Sequence, residues 1–115
     1  MKTALIVFLG GGIGSVIRYL MSLLVLSFSN KSWIGTLIVN ILGSMLFIFS
    51  HRLSFDLSSE QHHLFRVGLL GGLTTFSSLS IQTLDLLKSG YIIEGIGSLL
   101  LNIFFGIVVG LWIIR

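Results

Sequence analysis

The sequence predicts an all-α integral membrane protein with four transmembrane helices. Two observations predict this fold: four apolar segments follow one another with only short polar connections, and the composition is 54% hydrophobic and 10% charged. A soluble domain contains about 25% charged residues. The chain of 115 residues has no proline and no cysteine, and the lack of cysteine excludes a disulfide framework or a thiolate metal site.

The four apolar segments cover residues 4–28, 33–49, 64–87 and 92–114. Each can cross a bilayer, because a transmembrane helix needs about 17 to 25 residues. The longest connection, residues 51–63, leaves no room for a soluble domain, so we expect one four-span membrane domain over residues 1–115. No cleavage-site pattern follows the N-terminus, which predicts that the first segment is a permanent span rather than a signal peptide.

Lysine and arginine residues are almost evenly divided between the two ends of the predicted bundle. One end has Lys2, Arg52, Arg66 and Arg115, and the other has Lys31, Lys88 and the deeper Arg18. The positive-inside rule requires a clear excess on one side. The sequence therefore leaves two alternatives: the chain inserts in both orientations, which allows an antiparallel dimer, or weak cues select one orientation. Four short spans leave few residues to enclose a pathway in one subunit, and we expect a dimer.

The third apolar segment is interrupted by the sequence Gly-Gly-Leu-Thr-Thr-Phe-Ser-Ser at residues 71–78. Backbone and hydroxyl groups at this depth must be satisfied by protein, water or an ion, because lipid offers them no hydrogen bonds. Broken helices of this kind form binding sites in membrane transporters. The segment therefore predicts a helix break and a functional site near the middle of the membrane, with a simple glycine kink as the alternative.

Glycines four residues apart occur in three of the segments. The pairs are Gly10 and Gly14, Gly68 and Gly72, and Gly106 and Gly110. In apolar helices this spacing lets neighbouring backbones approach closely, so we expect the pairs to serve helix packing. The first pair lies in a run that resembles a dinucleotide-binding loop. Ser15 occupies the final glycine position of that pattern and no strand accompanies it, so we expect no nucleotide or nucleic-acid binding.

Polar residues within the apolar segments are the candidates for function. Asn40 is too deep and too short to reach the interface, so either it hydrogen-bonds a neighbouring helix or it presents its amide to a permeating species. Arg18 either faces the bundle interior or extends to the membrane surface. Ser98 and Asn102 lie one turn apart in the fourth segment. We favour a pathway role for Asn40.

The chemistry of these groups favours an anion over a cation. The spans have no Asp or Glu near the midplane, since Asp85 and Glu94 lie toward segment ends. This argues against proton or cation transport coupled to a carboxylate. Hydroxyls, amides and the N-terminus of a half-helix are hydrogen-bond donors. The ring edge of Phe76, within the predicted break, also carries positive potential.

Three stretches, residues 11–19, 35–44 and 71–78, resemble in order and spacing the signatures of the Fluc (CrcB) family of fluoride channels. The resemblance implies an antiparallel, dual-topology dimer of four-span subunits in the plasma membrane of a prokaryote. It also implies passive conduction of fluoride through two narrow pores, which exports the ion and protects the cell from its toxicity, without enzymatic activity. A structural sodium ion (Na+), which is not transported, would lie at the centre of the dimer interface.

By motif position, the resemblance further implies which residues contact the ions. Sodium would bind the backbone carbonyls of Gly71 and Thr74 from both subunits. Fluoride would meet the amide N–H of Asn40 and the ring edge of Phe76. The hydroxyls of Thr75, Ser77 and Ser78 would line the polar track of the pore. Arg18 would lie near a pore vestibule and attract anions.

The sequence departs from the family pattern at two positions. Leu79 stands where the family has a second phenylalanine, and Gly106 stands where a serine is frequent. Leu79 cannot offer a ring edge. Either one phenyl ring per pore suffices in a homodimer, or the subunit pairs with a homologous chain in a heterodimer that supplies the missing ring.

Two other functions that a small four-span protein could have fit this sequence less well. A drug-exporting transporter would need a carboxylate within the first span for proton coupling, and this chain has none there. A scaffolding subunit would leave Asn40 and the Thr-Ser cluster without a role. His51, His62 and His63 lack the spacing of metal ligands, so we expect them to be solvated loop residues.

Overall fold

A computed structural model gives the fold of residues 1–52 and 57–114. Part of the predicted connection 51–63, and Arg115 of the charge comparison, lie outside the described residues. The first helix is Lys2–Leu26, the second is Ser32–Arg52 and the last is Ile92–Ile114. Between the second and the last, the third span runs over Ser59–Lys88.

All four spans are long and apolar enough to cross a membrane. The two described ranges contain helices, turns and irregular backbone, with no strand among them. The prediction of an all-α membrane fold with four transmembrane helices is therefore confirmed. The helix bounds differ from the predicted segments by a few residues at most ends, and most at the start of the third span.

The third span begins at Ser59, before the apolar segment that starts at residue 64, because polar side chains cap the start of the helix. The hydroxyl of Ser58 accepts a hydrogen bond from the Gln61 amide N–H, and the Gln61 side-chain oxygen accepts one from the Ser58 N–H. This reciprocal capping box satisfies backbone donors at a helix start. His62 and His63 consequently lie within a helix, and His51 lies in the last turn of the second helix, so the prediction that these histidines are loop residues is wrong. The described residues hold no group of side chains suited to a metal ion.

The third span consists of two half-helices with an extended break between them. The first half-helix, residues 59–73, contains a wide π-helical stretch at His63–Leu70. The second half-helix is Phe76–Lys88. Thr74 has φ −81° and ψ 151°, and Thr75 has φ −150° and ψ 118°. The predicted break is confirmed, and it lies at these two threonines rather than at a glycine kink, since Gly71–Leu73 is still helical.

Glycines bring the first helix and the first half-helix into direct backbone contact. A Cβ atom on Gly68 would lie 2.9 Å from the Cα of Gly10, and one on Gly14 would overlap the carbonyl of Leu69. Such crossings need residues without side chains, because any Cβ would push the backbones apart. The packing role predicted for these glycines is confirmed, whereas Gly106 has no atom near its missing Cβ.

The outer surface of the single chain is apolar, and its buried core is small. Val39, Leu70 and Leu73 form the buried cluster where the second helix meets the first half-helix. Many leucine, isoleucine and phenylalanine side chains point outward along all four spans. A surface of this kind is suited to hydrocarbon, because large apolar patches are not stable against water. The polar interior described next is therefore the exception within an apolar structure.

Candidate functional site

The second helix supplies a side chain that bridges the break in the third span. The N–H of Thr75 donates to Oδ1 of Asn40 at 2.7 Å, and Nδ2 of Asn40 donates to the carbonyl of Thr75 at 3.1 Å. Thr75 is only 9% exposed. Buried backbone groups outside a helix need partners, and the Asn40 amide provides both. Of the two alternatives for Asn40, the structure shows the hydrogen bond to a neighbouring helix.

The side chain of Thr75 begins the second half-helix. Its hydroxyl accepts a hydrogen bond from the Ser78 N–H at 3.1 Å, which is the geometry of an N-cap. The hydroxyls of Ser77 and Ser78 lie 3.2 and 3.1 Å from the same oxygen. These three hydroxyls lie at the N-terminus of the half-helix, where the helix dipole favours negative charge.

The carbonyl groups before the break lose their normal helical donors. In a continuous helix the N–H of Thr75 would pair with the carbonyl of Gly71, and that of Ser78 with the carbonyl of Thr74. Here the first donor goes to Asn40 and the second to the Thr75 hydroxyl. The carbonyl oxygens of Gly71 and Thr74 are thereby left free of the helical ladder.

Arg18 of the first helix faces the interior. Its Nε donates to the carbonyl of Gly72 at 3.1 Å, so it satisfies a third carbonyl near the break. Arg18 also lines a cavity of about 290 Å³ together with Thr75 and Ser78. Of the two alternatives for Arg18, the structure shows a side chain that bonds the bundle interior, and this hydrogen bond could not have been predicted from the sequence.

Thr75 also lines a second cavity of about 290 Å³. Asn40, Thr74 and Phe76 line it. The Phe76 side chain is 76% exposed on the outside of the single chain, whereas Leu79, one turn later, is buried with 4% exposure. The residue that replaces the second phenylalanine therefore packs within the subunit, and Phe76 is the aromatic side chain presented outward at the break.

The structure brings together most of the residues that the sequence singled out, and it adds Asn102. Nδ2 of Asn40 donates to Oδ1 of Asn102 at 2.8 Å, and Nδ2 of Asn102 donates to the Ser98 carbonyl at 2.9 Å. Ser98 and Asn102 are polar residues one turn apart in the fourth apolar segment, but Asn102 is not among the site residues predicted from the sequence. The only available signal was that spacing in an otherwise apolar helix.

Comparison with known proteins identifies the family. Residues 5–113 match the family model described as CrcB-like protein, Camphor Resistance (CrcB). Three similar proteins are named fluoride-specific ion channel FluC. The Shewanella pealeana protein is 45% identical over 106 residues, which cover 90% of this chain and 86% of the relative. The Phocaeicola vulgatus protein is 40% identical over 120 residues, with 97% and 98% covered, and the Clostridium perfringens protein is 42% identical over 104 residues, with 87% and 81% covered.

The match extends over nearly the whole chain and therefore includes all four spans and the break between the half-helices. Identity of 40 to 45% at this coverage is far more than a shared fold would require. The family inferred from the three sequence motifs is confirmed, and the chain is a multi-pass membrane protein that belongs to the CrcB family.

Proposed function

We propose that this chain is a subunit of a passive, fluoride-selective ion channel and that it is not an enzyme. The observation that carries the proposal is a helix break lined by hydrogen-bond donors, in a chain similar over most of its length to proteins named fluoride-specific ion channels. In the plasma membrane of a prokaryote, such a channel would export fluoride and protect the cell from its toxicity.

The groups at the break suit a small anion. Fluoride holds its water tightly, so a selective path must replace that water with close donors. The amide of Asn40, the hydroxyls of Thr75, Ser77 and Ser78, and the N-terminus of the second half-helix are donors within one small region. The ring edge of Phe76 would add positive potential at the mouth of the cavity.

A sodium ion at the break would satisfy two of the carbonyl groups that lose their helical donors there. Hydrogen bonds from Thr75 N–H and Ser78 N–H go to side chains, which supports an ion at the carbonyl oxygens of Gly71 and Thr74. A cation held by these oxygens would offset the cost of burying unpaired carbonyls in the membrane. Two copies of the chain would supply four such oxygens.

A second subunit would cover the outward face of the break. Gly71 and Phe76 are exposed on the single chain although they lie in mid-span. An antiparallel dimer would place two copies of this face against each other and enclose two equivalent pathways. Because Leu79 offers no ring, the dimer has either one phenyl ring per pore or a homologous second chain that supplies another.

Ion release from liposomes tests the proposal. The purified protein should release fluoride much faster than chloride, each followed by an ion-selective electrode after the membrane potential is collapsed. Protein-free liposomes are the control. Equal rates for the two halides, or no release of fluoride, would refute the channel function.

Replacing Phe76 by alanine tests the role of the ring. We expect Phe76→Ala to lower the fluoride rate by about tenfold, the factor that corresponds to 1.4 kcal/mol. Phe104→Ala is the matched control, because Phe104 is also exposed but does not line either of the cavities at the break. If both variants conduct like the original chain, Phe76 is not part of the pathway.

A further inference from the structure

We infer that Asn102 is a positioning residue that fixes the orientation of the Asn40 amide and so determines how the break in the third span is bridged. The two side chains lie on different helices and share one hydrogen bond of 2.8 Å. Asn102 does not contact the backbone of the third span through any hydrogen bond of the described network. Its influence on the break therefore passes through Asn40.

The orientation of the two side-chain amides follows from which neighbouring groups can only donate and which can only accept. The Ser98 carbonyl can only accept, so the NH2 group of Asn102 must face it and the Asn102 oxygen must face Asn40. That oxygen can only accept, so the NH2 group of Asn40 faces Asn102. The Asn40 oxygen is then directed toward the N–H of Thr75, which can only donate.

Thr75, at the other end of this hydrogen-bond network, also fixes the orientation of the Asn40 amide. The Thr75 N–H and carbonyl accept only one orientation of the Asn40 amide, and it is the one that Asn102 selects. If the side-chain amide of Asn40 were rotated by half a turn, its NH2 group would face the Thr75 N–H, which is also a donor. Its oxygen would face the Asn102 oxygen, which is also an acceptor. Unpaired buried polar groups cost about 1 to 3 kcal/mol each, and Asn102 is only 9% exposed.

This arrangement has a consequence for ion passage, which rests on the proposed function. Both protons of the Asn40 NH2 group are already donated, one to Thr75 and one to Asn102. Fluoride can accept one of them only by replacing the Thr75 carbonyl or the Asn102 oxygen. Asn40 and Asn102 line the same cavity as Phe76, so Asn102 keeps the donor side of Asn40 directed toward the proposed pathway.

Asparagine-selective labelling makes the orientation measurable without ion transport. The chain has three asparagines, Asn30, Asn40 and Asn102, so nitrogen-15 labelling of asparagine gives three side-chain NH2 signals in detergent-solubilised protein. We expect Asn102→Leu to speed deuterium exchange of the Asn40 NH2 group by about tenfold or more, the change expected for loss of one hydrogen bond.

Two further variants make this experiment decisive. Ser98→Ala is the control, because it keeps the Ser98 carbonyl and removes a buried hydroxyl that has no partner among the described residues. It should leave exchange at Asn40 unchanged. Asn102→Ser serves if Asn102→Leu does not fold, since a helical serine hydroxyl can bond the carbonyl four residues earlier but is too short to reach Asn40. Unchanged exchange in folded Asn102 variants would overturn the inference.

A double-mutant cycle shows whether Asn102 acts through Asn40. Fluoride release should fall about tenfold in Asn102→Leu, and Asn40→Ala with Asn102→Leu should be no slower than Asn40→Ala alone, because residues in one network are not additive. Additive losses would overturn the inference. If the unmodified protein releases no fluoride, the proposed function fails, while the exchange experiment still decides the role of Asn102.

Discussion

The two halves of the third span are held in the bundle by different kinds of contact. The first half-helix packs through glycine, with Gly68 and Gly72 against the backbone of the first helix. The break and the start of the second half-helix are held by polar side chains, with Asn40 on both backbone groups of Thr75 and the Thr75 hydroxyl on Ser78. The packing of the first half-helix therefore requires residues without side chains, whereas the position of the second half-helix requires side chains that can form hydrogen bonds.

This difference separates structural support from the proposed ion pathway. Backbone contact across glycines is rigid, because each helix fills the space that a Cβ would need on the other. The break needs such support, since its extended residues have left the helical hydrogen-bond ladder.

Adding one methyl group at the glycine crossing should have the largest effect. In Gly14→Ala the new Cβ would overlap the Leu69 carbonyl and lie 2.8 Å from the Leu73 N. We expect a loss of about 3 kcal/mol or more in the free energy of unfolding, because backbone atoms on two helices must move. Thermal unfolding of the detergent-solubilised protein, together with the yield of monodisperse protein, measures this.

Gly12→Ala provides the matched control for that substitution. It adds the same methyl group to the same helix, at a position where no atom of a neighbouring helix in the described part of the chain lies within 4 Å of the new Cβ. It should be neutral, or should stabilise the helix by up to about 1 kcal/mol through the higher helix propensity of alanine. Equal effects of the two variants would contradict the crossing geometry.

Removing the side chain that bridges the break should have the next largest effect. Asn40→Ala leaves the N–H and carbonyl of Thr75 without their partner. We expect a loss of about 2 to 4 kcal/mol in stability, because each unpaired buried group costs about 1 to 3 kcal/mol, together with slower fluoride release from liposomes.

Ser44→Ala is the control for Asn40→Ala. Ser44 lies one turn further along the second helix and lines the same cavity. The control should retain its unfolding temperature. An Asn40→Ala protein that conducts and unfolds like the Ser44→Ala protein would show that the bridge has no role.

Sodium should stabilise the break if the carbonyls of Gly71 and Thr74 bind it. An ion that binds only the folded protein adds about 2.7 kcal/mol of stability at one hundred times its dissociation constant. We therefore expect a higher unfolding temperature in sodium chloride than in the chloride salt of a large organic cation at equal ionic strength. The same unfolding temperature in both salts would argue against a sodium site.

Changing the N-cap of the second half-helix should have the smallest effect. Thr75→Val keeps the shape of the side chain but removes the hydroxyl that accepts from the Ser78 N–H. We expect a loss of about 1 kcal/mol, the usual value of an N-cap, measured by thermal unfolding. Thr75→Ser keeps the hydroxyl and should be close to neutral, so a larger loss in the serine variant would contradict the capping role.

Local features of the sequence predicted much of this fold. Hydropathy and segment length gave four spans, and the polar run at residues 71–78 gave the position of the break to within a few residues. The prediction for His62 and His63 failed because helix starts are set by capping side chains, and the Ser58–Gln61 pair lies outside the apolar segment. A kink at Gly71 and Gly72 was the alternative to a break, but these glycines remain helical, and the extended backbone lies at Thr74 and Thr75.

The sequence by itself determined the number of spans, the existence of a break and the donor chemistry around it, because each depends on residues that are close together along the chain. Only the tertiary structure decided that Asn40 bridges Thr75, that Asn102 accepts a hydrogen bond from Asn40 and that Arg18 bonds the Gly72 carbonyl. The partners of these hydrogen bonds are 35 to 62 residues apart. Such pairings depend on where the helices cross, which residues close together along the chain do not determine, and glycines let some of these helices approach closely.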